Sequence, residues 1–106
     1  MQYLSLQQCA DKILRLTERM LQHARANDWE LMASLELERG RALEHLFRHP
    51  EIQHSMQIIS DTLFEVMELD KTCIQLTEQA RQVMLEQLNQ QSQGKRALNT
   101  YLENAG

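Results

Sequence analysis

The C-terminal half of the chain carries Ile52, Met56, Ile59, Leu63, Val66, Asp70, Cys73, Thr77, Ala80, Met84 and Leu88, mostly apolar residues in steps of three and four. That spacing keeps side chains on one face of a helix, and its alternation is the seam of a coiled coil. No Gly or Pro interrupts it between Glu51 and Gln93, which predicts one helix of about 40 residues, about 60 Å long. Met67, Leu69, Ile74, Leu76, Val83 and Leu85 flank the seam, so the apolar stripe is wider than a two-stranded coiled coil requires.

Two shorter helices precede it. Leu6, Cys9, Ala10, Ile13, Leu16, Met20 and Ala24 line one face of the first. It stops near Ala26-Asn27-Asp28, where Asn27 is placed to cap the second helix and Glu30 to complete a capping-box variant. The second runs from about Asp28 to Arg48, with Trp29, Met32, Leu35, Leu43, Leu46 and Phe47 facing inward and Pro50 enforcing its end. A link this short joins antiparallel neighbours. Gly40, inside the second helix, costs about 1 kcal/mol relative to Ala and reads as a close approach of another backbone. Composition agrees: three glycines and one proline leave little for tight turns.

Each of the first two helices, at roughly 20 residues, spans about 30 Å, half the length of the third. Something else must shelter the remaining stripe: a second copy, the segment after Gly94, or a client. Asn89 to Gln93 is polar, and Gly is the residue most common just past a helix end, so a break is expected at Gly94. Ala97, Leu98, Tyr101 and Leu102 then suit a short amphipathic helix that docks and releases easily. The expected fold is all-α: an antiparallel bundle of three helices, the third long, over residues 1–93, plus a short C-terminal helix in a cover segment over 94–106.

Charge and motifs exclude several classes of function. With 11 Lys and Arg against 15 Asp and Glu, a formal charge of -4, the chain has no basic stripe for phosphates, which argues against direct nucleic-acid binding. Arg39, Arg41 and Arg48 are interleaved with Glu36, Glu38 and Glu44 and read as a solvated face of paired charges. No apolar run reaches the length of a membrane span, and no signal peptide is expected. Cys9 and Cys73, each within an apolar pattern, read as buried thiols of a reducing compartment. His45 and His49 have the spacing of helical metal ligands but lack a third and fourth, so neither metal nor cofactor is expected. Nothing points to an enzyme: no two carboxylates share an apolar pocket and no glycine-rich loop cradles phosphate. A helical mutase would need Arg15, Arg19, Arg39 and Arg81 inside the core, and they fall mostly off the inner stripes.

Two features of the seam invite a binding role. Asp70 and Thr77 occupy core-type positions one heptad apart and either fix register or hold a partner's backbone or basic group. Met20, Met32, Met56, Met67 and Met84 read as core, although flexible thioethers also suit a surface that accepts varied helices.

Three stretches resemble one family. Ala26-Asn27-Asp28-Trp29-Glu30-Leu31, followed by Leu35-Glu36-Leu37-Glu38-Arg39 and Leu43, is similar to the W-[DE]-x-L and E-x-x-R signature of FliT-like flagellar export chaperones. Leu69-Asp70 with Ile74 and Arg81, then Gly94-Lys95-Arg96-Ala97 leading to Tyr101, look like that family's third helix and terminal tyrosine motif. The resemblance implies a cytoplasmic chaperone that binds the flagellar filament-cap protein before export and delivers it to the type III export apparatus. It also implies contact with the export ATPase complex and, as in some members, with the flagellar master transcriptional activator. The corresponding partner surface is Met56, Ile59, Leu63, Val66, Met67, Asp70, Cys73, Ile74 and Thr77, with Leu98, Tyr101 and Leu102 as the cover. The rival expectation is a homodimeric coiled-coil scaffold with no export role, its stripe buried permanently against a second copy.

Overall fold

The computed structural model describes residues 4–105, with side chains as far as Glu103. Three helices account for most of them: α1 (Leu6–Arg25), α2 (Trp29–Phe47) and α3 (Met56–Ala105). No strand occurs among the described residues. The chain divides into two compact units, the first ending at Leu76 and the second beginning at Thr77, and α3 contributes to both.

Local chemistry sets the helix ends. Ser5 opens α1 through a capping box: its Oγ accepts from the Gln8 N–H at 3.1 Å, and its own N–H donates to Gln8 Oε1 at 2.9 Å. At the other end Asn27 takes the left-handed conformation, φ 58. Its N–H donates to the Ala24 carbonyl, while that of Asp28 reaches the His23 carbonyl at 2.8 Å, the pairing of a Schellman motif. Asn27 therefore closes α1, and the expected capping of α2 falls instead to Asp28, whose Oδ1 accepts from the Leu31 N–H. Asn suits that position because its short polar side chain tolerates positive φ. Residues 48–55 form turns around Pro50, and α3 starts five residues later than the uninterrupted pattern from Glu51 suggests.

The first unit holds the core. Nine residues of α1 are buried, including every one on the predicted stripe, with Met32, Leu35, Ala42 and Leu46 of α2 and Ile59, Val66 and Cys73 of α3. Trp29, Leu43, Ile52, Leu63, Leu69 and Leu76 pack partly buried against them. Phe47, expected inside, is 59% exposed, because the α2 face that meets the core is set by Leu35, Ala42 and Leu46 and Phe47 lies off that line. Gly40 meets no close backbone either: a Cβ there would find nothing within 4 Å.

One polar layer interrupts this core. Ala10, Ile13, Thr17, Met20 and Ala24 alternate in steps of three and four, as do Met32, Leu35, Arg39, Ala42 and Leu46, and Ile59, Leu63, Val66, Asp70 and Cys73. Each series has a single polar member, and the three polar members meet. Arg39 Nη1 donates to Asp70 Oδ1 at 2.7 Å and lies 3.4 Å from Thr17 Oγ1, which itself donates to the Ile13 carbonyl at 2.8 Å. The Arg39 and Asp70 side chains are only 13% and 31% exposed.

In the second unit the helix runs on through Gly94, so the expected break and separate C-terminal helix are absent. The physical reason is a balance of small terms. Gln is a good helix former, and one interior Gly costs about 1 kcal/mol, less than leaving two new helix ends unsatisfied. Gly94 does not adopt positive φ.

The polar layer gives a direct test. Arg39→Ala leaves the Asp70 carboxylate partly buried without its cation and should lower unfolding stability by about 2 kcal/mol, whereas Arg39→Met with Asp70→Leu should return to within about 1 kcal/mol of the parent in urea titrations. A single variant as stable as the parent contradicts this assignment.

Candidate partner-binding surface

The residues expected on the partner surface separate by burial. Ile59, Val66 and Cys73 are buried in the first unit, Leu63 packs against them, and Asp70 is engaged by Arg39 of the same chain. Met56, Met67 and Ile74 are exposed, the last two by 59% and 61%. At about 100° per residue these three fall within a narrow arc of α3, one flank of its seam. Phe64, exposed and one turn before Met67, borders the same flank. The methionines divide likewise: Met20 and Met32 are core, whereas Met56, Met67 and Met84 are exposed.

Phe64 went unnoticed in the sequence because it lies off the heptad positions. Arg39 went unnoticed as an inward residue because it was grouped with charges rather than with its 3-4 series. The expected pairs of Arg39, Arg41 and Arg48 with neighbouring glutamates do not form among the described residues; Arg39 turns to Asp70 instead. Exposed pairs of long side chains gain too little to override that. The ion pairs on α3 are local, Glu68 with Lys71 and Glu78 with Arg81.

The second unit, taken alone, is a helical segment whose described side chains are all exposed except Ala80, which is half-buried. Thr77, Met84, Leu88, Leu98 and Leu102 continue the seam spacing, with Tyr101 beside them, and Gln91 and Lys95 complete the series as polar members. No acidic residue stands in the first turn of α3 and no basic residue in the last, so charge does little for its ends. A single exposed helix of this kind is marginal without a partner for its stripe.

The remaining chemistry is quiet. Neither Cys9 nor Cys73 forms a disulfide, and both are buried. Burial pushes the Cys73 thiol above its usual value, and the Asp70 carboxylate adds to the rise, while Arg39, Arg25 and a backbone hydrogen bond oppose it. A raised thiol pKa stabilises the fold below the unfolded-state value, and that contribution is lost as pH climbs through the folded-state value. Among the described residues no three His, Cys, Asp or Glu side chains gather as metal ligands, and no helix is long and apolar enough to cross a membrane.

Cys73 should therefore react with a thiol reagent at neutral pH at least about a hundredfold more slowly than in the urea-unfolded chain, and should gain reactivity only as alkaline pH opens the core. Equal rates in the two states would show that this stretch of α3 is not held against α1 and α2.

Comparison with known proteins places these features in context. No curated protein and no solved structure matches the chain. The profile of one family, described as Flagellar protein FliT, matches residues 7–104, which takes in all of α2 and nearly all of α1 and α3. A core shared by three helices and an apolar helix surface left open both suit a flagellar chaperone, and the chain belongs to the FliT family.

Proposed function

We propose that this protein is a cytoplasmic type III export chaperone that holds the flagellar filament-cap protein and delivers it to the export apparatus, where it meets the export ATPase complex. The single observation that carries the reading is the open flank of α3, Met56, Met67 and Ile74, on a unit whose core is otherwise complete. An amphipathic client helix lies in such a groove by placing apolar anchors at i, i+3, i+4 and i+7. Met at two of the three positions supplies a polarizable surface that repacks around different anchors. Contact with the flagellar master transcriptional activator is the same chemistry applied to another amphipathic segment.

The first unit in this proposal is an antiparallel bundle. In support, positions rising along α1 meet positions falling towards the start of α2: Leu4 accepts from His49 at 3.0 Å, and Thr17 lies beside Arg39. Residues 94–106 serve as a regulatory cover, with Leu98, Tyr101 and Leu102 competing for the client groove when the helix opens at Gly94. Gly is the natural place for that opening, since it is the weakest helix former short of Pro.

A second reading draws on the continued seam spacing from Thr77 to Leu102, which suits self-association as a coiled coil. An obligate dimer of this type would persist on dilution to nanomolar concentration and bind no cap-protein segment.

Met67→Glu with Ile74→Glu should weaken binding of the filament-cap protein in isothermal titration by about tenfold or more, with thermal unfolding unchanged because both side chains are exposed. Unaltered affinity would remove the flank from consideration. For the cover, deleting residues 95–106 should raise affinity for the export-machinery partner. Gly94→Ala, which favours the unbroken helix by about 1 kcal/mol, should raise it by up to about fivefold. Weaker binding in both variants would make the tail part of the binding surface and not its competitor.

A further inference from the structure

A second surface with a definite chemistry lies in the first unit, in a groove to which α3 contributes no lining residue. Its volume is about 770 Å³, enough to bury one or two side chains of a peptide. Cys9 of α1 and Ala42 of α2, both buried, form an apolar floor, and Leu4 and Pro50 add apolar wall. His49 fixes the region around it. Its Nδ1 accepts from the Glu51 N–H at 3.1 Å, which leaves Nε2 to donate to the Leu4 carbonyl at 3.0 Å, tying the turn after α2 to the residues before α1.

The rim is cationic in a chain whose net charge is -4. Lys12 comes from α1, Arg41 from α2 and Arg48 from the C-cap of α2, with the His45 ring between the two arginines, against the one carboxylate of Glu38. Among the described residues none of Lys12, Arg41 and Arg48 is held in an ion pair, so their charge is available to a ligand. Arg41 and Arg48, seven residues and about 10 Å apart, stand on one side of α2 and its C-cap. That layout decides between ligands. A phosphate is recognised by donors that converge on one centre, whereas arginines two turns apart match carboxylates presented in succession. Glu38, one turn before Arg41, repels acid at that end and gives the row a direction.

We infer that the α1–α2 groove docks an acidic peptide segment carrying an apolar anchor, its carboxylates on Lys12, Arg41 and Arg48 and its anchor over Cys9 and Ala42. The site shares no residue with the α3 flank, so it stands whether or not that flank binds the cap protein. It gives the molecule a second handle by which an acidic partner is held while a client occupies α3.

Fluorescence anisotropy on the full chain tests this, using a labelled peptide of Glu and Leu, a matched peptide of Lys and Leu, and inorganic phosphate as competitor. The acidic peptide is expected to bind, more weakly as salt rises, the basic peptide not to bind, and phosphate not to displace. Arg41→Glu with Arg48→Glu, both exposed, should weaken binding by about tenfold or more with unchanged circular dichroism. Arg15→Glu with Arg19→Glu, exposed on α1 and outside the groove, makes the same change in net charge and should have little effect. Equal losses from the two pairs, displacement by phosphate, binding of the basic peptide, or failure of the acidic one to bind would each overturn the inference.

Discussion

The contact among Thr17, Arg39 and Asp70 is the constraint from which the rest of the first unit follows. Three apolar helix faces pack against one another in many registers at similar cost, since hydrophobic burial is not directional. A charged pair with one hydroxyl beside it is satisfied in a single register. Sliding α2 or α3 by a turn would place Arg39 or Asp70 against apolar residues, leaving a charge unpaired at a cost of several kcal/mol. Sliding α1 would set an apolar side chain beside Arg39 in place of the Thr17 hydroxyl. The layer adds little net stability, because apolar residues of similar size would serve as well for burial. Its effect is to select one alignment, as a lone polar residue does in a coiled coil.

That alignment determines which face of α3 remains outside. With Asp70 turned to Arg39, its neighbours in the same 3-4 series, Val66 and Cys73, and Ile59 one heptad before Val66, go into the core. Met56, Met67 and Ile74, displaced from them by part of a turn, are left in water. The exposed flank is therefore a consequence of how the core is keyed. The same geometry accounts for the Cys73 thiol, which sits one turn from Asp70 and is raised by burial and by that carboxylate.

Helix number, the α1 stripe and the reach of α3 past residue 88 differ in how legible they were. The α1 face was readable residue by residue, because Leu6 to Ala24 repeat with no polar intruder except Thr17, whose single hydroxyl bonds back to the Ile13 carbonyl. The corner was misassigned by one position. Asn27 and Asp28 are both good caps, and only the backbone reveals that positive φ commits the first to closing α1. The end of α3 was misjudged because a polar run followed by Gly was weighed as a stop, while the helix propensity of the three glutamines in that run was not. As for the surface, periodicity identified the stripe but could not say which side of it the neighbours would cover. The division between Val66 and Met67 is a fact of packing and not of composition.

This division also limits which α3 residues a partner could reach. A side chain cannot serve the core and a client at once, so Ile59, Val66 and Cys73 are unavailable to any partner while the first unit is folded. Replacing them would lower stability before it reported on binding, by the several kcal/mol that large core truncations cost. The flank is different. Its residues are already hydrated, and covering a Met or Ile side chain fully is worth about 1.5–3 kcal/mol, so three or four such contacts supply useful but reversible affinity once the cost of ordering a client is met. The charges of Glu68 and Lys71 interrupt the exposed apolar residues and oppose tight self-association. In the first unit, then, α3 is keyed into its own core on one side and carries hydrated apolar side chains on the other, so a partner placed on that flank would leave the core packing undisturbed.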